Sequence, residues 1–138
     1  IALCLHHYKD LNSLYLLWKR GISLSTFCDI YYYLEKIPLD SQELKQMCNK
    51  LNVAEYVYCS IFQTNIVFER SELRKCLNGL VPANAKSLHK RIGLSENQYK
   101  QLPDFIANYA FDEHFHQVLE NLLTTEEIEQ IKTNDLFL

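Results

Sequence analysis

The sequence predicts an all-α protein, an irregular bundle of about six to seven helices that opens with an antiparallel helix pair. Apolar residues recur at spacings of three and four over long stretches, which is the pattern of helices with one buried face. Only three glycines and three prolines interrupt the 138 residues, whereas a protein built from short strands needs more frequent turns. Apolar residues make up 48% of the chain and charged residues 22%, which is typical of a globular domain.

Length and charge limit the functional classes. We expect residues 1–138 to form a single domain, since this length is sufficient for one hydrophobic core. The net charge of −3 and the lack of a dense Lys/Arg cluster argue against a nucleic-acid partner. Charged residues interrupt every apolar run before about 18 residues, so no segment is expected to span a membrane. The five cysteines form no Cys-x-x-Cys pair, which favours buried thiols in a cytoplasmic protein over a zinc site.

The opening pair of helices is predicted to turn at Gly21. A first helix over residues 1–20 carries apolar residues at helical spacing, and Gly21 suits the left-handed position after its end. A second helix is expected from about Leu24 to Glu35, with Ser23 or Ser25 as its N-cap. The chain starts inside this helical pattern, so we interpret it as the C-terminal part of a longer protein.

Capping patterns predict where the later helices begin. Pro38 ends the second helix, because proline cannot continue it. Asp40, Asn52 and Thr124 each precede a glutamate by three positions, and Ser95 precedes a glutamine in the same way. The predicted helices are Ser41 to Leu51, Val53 to Glu69, Ser71 to Leu77, a short one after Ser95, Pro103 to Leu123, and Thr124 to Lys132. The helix from Val53 to Glu69 is apolar around much of its circumference, which indicates a central position.

Two segments lack a clear helical pattern. Residues 79–93 predict a connecting loop with a single turn near Ala85 to Arg91, and a subdomain boundary, if the chain has one, is expected there. The apolar tail, residues 136–138, is expected either to pack against the bundle or to fray.

Polar and ionisable residues inside the opening helices are the candidate functional residues: His6, His7, Lys9 and Asn12 in the first and Asp29 in the second. In an antiparallel pair, Lys9 and Asp29 fall within about one helical turn of each other, roughly 5.4 Å. They could form a structural ion pair, or a histidine could replace the lysine as the partner of Asp29. The functional alternative is that Lys9 and one histidine face a cleft and hold an anion such as phosphate.

Spacing limits what the histidines can do. His6 and His7 lie about 100° apart on a helix, so at most one of them faces the core. His114 and His116 point to nearly opposite sides of a helix, so they cannot share a metal ion, and Asp112 with His116 provides only two ligands. The chain also lacks a glycine-rich phosphate loop and an acidic pair for a divalent metal. We therefore predict no metal site and no catalytic residue in this chain.

A family resemblance rests on two motifs. The segment Leu3-Cys-Leu-His-His-Tyr-Lys9, followed by an apolar helix around Phe27-Cys-Asp-Ile30, resembles the C-terminal helical half of a family of bacterial nucleotidyltransferases of the polymerase-β type. The resemblance extends over residues 1–68. In that family an N-terminal α/β half carries a Gly-Ser turn and the acidic pair for Mg²⁺, and neither is present in this chain.

The resemblance implies that this chain is the substrate-side wall of such an enzyme. The residues implied to bind substrate are His6, His7, Lys9 and Asn12. Lys9 would offset phosphate charge, and Asp29 would orient Lys9 or a histidine. The implied partners are the missing N-terminal catalytic half and a small-molecule acceptor. No cofactor would be bound by this chain alone, and Mg²⁺ and a nucleoside triphosphate are expected only when the catalytic half is present.

Two other functional classes stay open. A non-catalytic helical protein-interaction module would keep the same polar residues buried and paired, and would expose an apolar patch elsewhere. A small-ligand-binding bundle would need an enclosed pocket lined by tyrosines.

Overall fold

A computed structural model describes residues 1–37, 40–82 and 85–133 of the protein. The α-helices in these ranges are α1 (Ala2–Asn12), α2 (Leu14–Arg20), α3 (Ser25–Lys36), α4 (Ser41–Leu51), α5 (Ala54–Phe68), α6 (Ser71–Leu80), α7 (Ala85–Leu88), α8 (Phe115–Leu122) and α9 (Thr125–Thr133). Glu96–Gln98 and Ile106–Phe111 form 3₁₀ helices. Strands β1 (Arg91–Ile92) and β2 (Lys100–Gln101) pair antiparallel, with Arg91 opposite Gln101. The predicted all-α class is confirmed, and the small strand pair was not predicted.

Helix α5 occupies the centre of the bundle, as its pattern predicts. It packs against α1, α3 and α6 and against the 3₁₀ helix Ile106–Phe111. Its buried residues lie on more than one face and include the polar Ser60, Gln63 and Thr64. Because α5 is packed against other helices on several sides, its buried polar side chains must find partners inside the protein.

Two clusters of buried apolar side chains form the core. The larger one joins α1, α2 and the start of α3 to the C-terminal segments and contains the fully buried Phe27. The smaller one joins α4, α5 and α6 around Cys48. Partly buried residues at the end of α5, such as Ile66, pack against the larger cluster, while Ile61 belongs to the smaller. Helix α5 therefore connects both clusters.

Hydrogen bonds attach the C-terminal segments to α1 and α5. The side chain of Gln63 donates to the carbonyl of His89 (2.7 Å) and accepts from the amide of Ala107 (2.8 Å). The amide of Gly93 donates to the carbonyl of Asn12 at 2.8 Å. Gly93 has φ +104°, and an added Cβ would lie 2.5 Å from the carbonyl oxygen of Gln98, so this turn requires glycine.

The predicted single helix over residues 1–20 is wrong, because the chain breaks at Ser13. Ser13 is extended (φ −72°, ψ 112°), and its hydroxyl accepts from the amide of Leu16 at 3.3 Å. Serine favours this arrangement because its side chain satisfies an amide that the new helix leaves open. The turn at Gly21 is present, with φ +66°, in a region that favours glycine.

The predicted long helix from Pro103 to Leu123 is also wrong. A 3₁₀ helix ends at Phe111, Asp112 is extended, and its carboxylate accepts from the amide of His114 at 2.8 Å. In a continuous helix the amide of Ala107 would donate to the carbonyl four residues earlier. In the structure it donates to the side chain of Gln63 instead. A long-range hydrogen bond therefore replaces a helical one.

The predicted second helix and the helices predicted from Ser41, Val53, Ser71 and Thr124 differ from the structure by three residues or fewer at their ends. The short helix predicted after Ser95 is wrong, because only the 3₁₀ helix Glu96–Gln98 forms there, β2 follows it, and the Ser95 side chain caps no helix amide. The prediction that Asn52 caps α5 is wrong, since Asn52 ends α4 in the left-handed conformation (φ 56°, ψ 43°). The helix stop at Pro38 and the tail at residues 136–138 lie outside the described residues. None of the helices in the described ranges combines the length and apolarity of a bilayer-spanning helix.

The capping box that opens α9 is confirmed and can be tested. The hydroxyl of Thr124 accepts from the amide of Glu127 (3.1 Å), and the carboxylate of Glu127 accepts from the amide of Thr124 (3.0 Å). We expect Thr124→Ala to lower the free energy of unfolding by about 1 kcal/mol, because it leaves a helix amide unpaired. Urea unfolding measures this, and Thr125→Ala, one residue along, should change it by less than half as much.

Candidate functional site

A polar cleft lies between α1, the end of α2 and the first half of α3, with a volume of about 280 Å³. Its ionisable and hydroxyl side chains are His6, His7, Asp10, Arg20, Ser23, Ser25, Thr26 and Asp29. Gly21 and Ile22 connect α2 to the start of α3 along one wall. The cleft contains three of the five residues predicted from the sequence: His6, His7 and Asp29.

His6 lies at the exposed edge of the cleft. Its Nε2 atom is 3.4 Å from the carboxylate of Asp10, one helical turn along α1. The His6 side chain is 73% exposed, so water screens this pair and its contribution to stability is small. His6 is therefore free to reorient toward a ligand.

His7 lies at the inner side of the cleft and is 5% exposed. Its Nδ1 atom is 2.5 Å from the hydroxyl of Ser60 on α5, and its ring meets Phe27 edge-on at 5.3 Å. Burial lowers the pKa of His7 from 6.5 to about 4, against a smaller opposing effect of the Thr26 backbone. The imidazole is therefore neutral at pH 7, and the prediction that only one of His6 and His7 faces the core is confirmed.

Asp29 and Arg20 supply the remaining charges of the cleft. The side chain of Asp29 is exposed and forms no hydrogen bond or ion pair within the described part of the chain. Arg20, in the last turn of α2, is also exposed and without a partner among the described residues. With Asp10, the described residues of the cleft include two carboxylates and one guanidinium, so this lining is acidic overall.

The ion pair between Lys9 and Asp29, one of the alternatives that the sequence left open, does not form. Lys9 is exposed and lines a different cavity, with Gln98 and Glu127, because it lies about 100° around α1 from Asp10. The structure therefore does not support the interpretation that Lys9 shares one cleft with a histidine.

Asn12 does not line the cleft either. Its side chain is 1% exposed and donates to the carbonyl of Tyr8 at 2.9 Å. Asn12 is the last residue of α1 before the break at Ser13, and its carbonyl accepts a hydrogen bond from the amide of Gly93. Asn12 thus holds the turn after β1 against α1.

Asp10 and Arg20 in the cleft, and Ser60 as the partner of His7, were not predicted as site residues. Asp10 had a local signal, since it lies four positions after His6 on one helix face. Arg20 and Ser60 had no such local signal. The position of Arg20 depends on the break at Ser13, and Ser60 lies 53 residues from His7.

His116, which spacing pairs with Asp112, has other contacts in the structure. His116 packs against Trp18 (ring centres 4.0 Å apart) and lies 3.7 Å from the carboxylate of Glu120. Within residues 1–37, 40–82 and 85–133, no three His, Cys, Asp or Glu side chains are grouped so as to hold a metal ion.

Comparison of the chain with protein-family models, curated proteins and solved structures finds no match.

Proposed function

We propose that the chain is the helical, substrate-side portion of a metal-dependent nucleotidyltransferase, and that the cleft between α1, α2 and α3 receives the acceptor molecule. The observation that carries this proposal is the meeting of His6, His7 and Asp29 in one polar cleft. The motifs of the first 34 residues support it, since they resemble the helical half of such enzymes.

The charges of the cleft favour an acceptor with amino and hydroxyl groups. The carboxylates of Asp10 and Asp29 would bind an amine, because charge-assisted hydrogen bonds to carboxylates are the strongest that a side chain offers. His6 and the hydroxyl of Ser25 would contact acceptor hydroxyls at the rim. Arg20 takes over the phosphate-neutralising role that the sequence assigned to Lys9, since Arg20 is the cation of the cleft.

The catalytic carboxylates are proposed to belong to a separate half of the enzyme. That half would bind Mg²⁺ and a nucleoside triphosphate and would dock over the cleft. Transfer would then need positioning of the acceptor by this chain and charge neutralisation by the metal. A cytoplasmic location is part of the proposal, and the five free cysteines support it.

The test is a transfer assay on the enzyme with both halves, with Mg²⁺, each nucleoside triphosphate and a panel of amino-alcohol acceptors. We expect Mg²⁺-dependent release of pyrophosphate. Asp29→Asn should raise the KM for an amine-bearing acceptor about tenfold, because it removes roughly 1.4 kcal/mol of charge-assisted binding.

Glu126→Gln is the matched control, because Glu126 is equally a surface carboxylate but lies on α9, away from the cleft. It should leave the KM unchanged. The absence of transfer with every triphosphate, or equal KM values for both variants, would reject the proposal.

A non-catalytic protein-interaction module is the second candidate function. It is favoured by apolar side chains that are about half exposed on α3, just after it and on α4, namely Tyr32, Tyr33, Ile37, Met47 and Leu51. This candidate predicts no transfer in the assay above. It also predicts association in sedimentation velocity that Tyr33→Glu weakens, whereas Glu43→Gln, an exposed change on α4, leaves it intact.

A further inference from the structure

A second cavity lies beside the α1–α2 junction. It is bounded by this junction, by the turn after β1 and by α9, and its volume is about 530 Å³. Among the described residues, Leu16 alone lines both cavities. Pockets that bind small molecules typically measure roughly 300–1,000 Å³, so this cavity has the size of a ligand site.

One wall of this cavity is apolar. Leu14 and Ile131 are buried beneath it, and Leu94 stands at its rim with 46% of its surface exposed. An apolar ligand body in the cavity would remove the Leu94 side chain from water, which favours binding.

The charges around the cavity favour an anion. Lys9 is exposed and has no ion-pair partner in the described part of the chain. Glu127 also lines the cavity, but its carboxylate accepts from the ammonium of Lys100 (2.8 Å) and from the amide of Thr124 (3.0 Å). Because Lys100 neutralises Glu127, the charge of Lys9 is left uncompensated.

Neutral donors surround the same space. Gln98 and Gln130 line the cavity with exposed side chains whose amides can donate to an oxyanion. Tyr15 also lines it, and its hydroxyl is buried with no hydrogen-bond partner among the described residues.

The turn that carries Leu94 and Gln98 is held in place by other contacts. Gly93 bonds to α1, and the hydroxyl of Ser95 bonds to the side chain of Asn97 at 2.6 Å. The cavity is therefore formed before any ligand arrives, which lowers the entropic cost of binding.

From this geometry we propose that the second cavity binds a small monocarboxylate with an alkyl body. The carboxylate pairs with Lys9 and accepts hydrogen bonds from Gln98 and Gln130. The alkyl body lies on Leu14, Leu94 and Ile131. This site does not depend on the function proposed for the cleft.

The test is an NMR titration of the ¹⁵N-labelled full chain with sodium octanoate, and with octylammonium chloride as a ligand of equal length and opposite charge. We expect saturable amide shifts at Ser13, Leu94, Gln98 and Gln130 with octanoate. Octylammonium should bind at least tenfold more weakly, since it meets Lys9 instead of a carboxylate.

Lys9→Gln should weaken octanoate binding at least fivefold, because it removes the uncompensated charge. Lys132→Gln changes an exposed lysine of α9 and should leave the affinity unchanged. Both positions are exposed, so the thermal unfolding temperature should stay constant. The proposal is overturned if octanoate causes no saturable shift, if the shifts fall on Thr26 and Asp29 in the cleft, or if Lys9→Gln binds as tightly as the unaltered chain.

Discussion

Replacing Gln63 by leucine is expected to lower the free energy of unfolding by roughly 2–4 kcal/mol. Gln63 is fully buried, and its side chain joins α5 to the carbonyl of His89 and the amide of Ala107. Leucine has a similar volume but no polar atoms, so the Ala107 amide loses its partner in a site that water does not reach. The His89 carbonyl keeps one bond, from the amide of Ile106 (3.2 Å), which limits the loss.

Urea unfolding followed by circular dichroism measures this change. Gln117→Leu is the control, since Gln117 is exposed on α8, and its free energy of unfolding should change by less than about 0.5 kcal/mol. The role assigned to Gln63 is wrong if both variants have the same stability. A large loss for Gln63→Leu should also expose the 3₁₀ segment at Ala107 to faster amide exchange than α4.

Acidification from pH 7 to pH 4 is expected to lower the free energy of unfolding by about 3 kcal/mol through His7 alone. The pKa of His7 is about 4 in the folded protein because burial disfavours the charged ring, whereas its ordinary value is 6.5. Between these values the unfolded chain binds more protons than the folded one. The stabilisation is therefore complete above pH 6.5 and is lost as the pH falls toward 4.

His89 also contributes to the fall in the free energy of unfolding on acidification. It is stacked on Phe62, with ring centres 3.6 Å apart, and burial lowers its pKa as well. A variant of His7 alone should therefore flatten the pH dependence without abolishing it.

The measurement is urea unfolding of the unaltered chain and of His7→Gln at several pH values from 7 to 5. Glutamine can still bond to Ser60 but does not titrate. The difference in free energy of unfolding between the unaltered chain and His7→Gln should therefore shrink by about 2 kcal/mol from pH 7 to pH 5. His6→Gln, which changes an exposed histidine, should run parallel to the unaltered chain. Parallel curves for His7→Gln would refute the assigned pKa.

Local chemistry was sufficient to predict several elements. The start of α4 follows from Asp40, whose carboxylate accepts from the amide of Gln42 at 2.9 Å. The start of α9 follows from the reciprocal bonds of Thr124 and Glu127. In these cases the atoms that decide the structure lie within a few residues of each other, so spacing alone identifies them.

The candidate site was predicted less completely. The placement of His6 and His7 on different faces of α1 follows from helical geometry, and the structure agrees. The partnership of Lys9 with Asp29 assumed two straight antiparallel helices. The structure contradicts that assumption, because the chain breaks at Ser13 and Lys9 lines the second cavity with Gln98.

By itself, the sequence determined that this chain is helical, that α5 is central, and that a polar set lies in the opening helices, because periodicity and composition report burial directly. Only the tertiary structure decided where continuous apolar patterns break and which polar groups meet. The side chain of Gln63 accepts a hydrogen bond from an amide 44 residues away, and the hydroxyl of Ser60 bonds to an imidazole 53 residues away. Such bonds depend on how helices pack, and no local pattern encodes the distance between them.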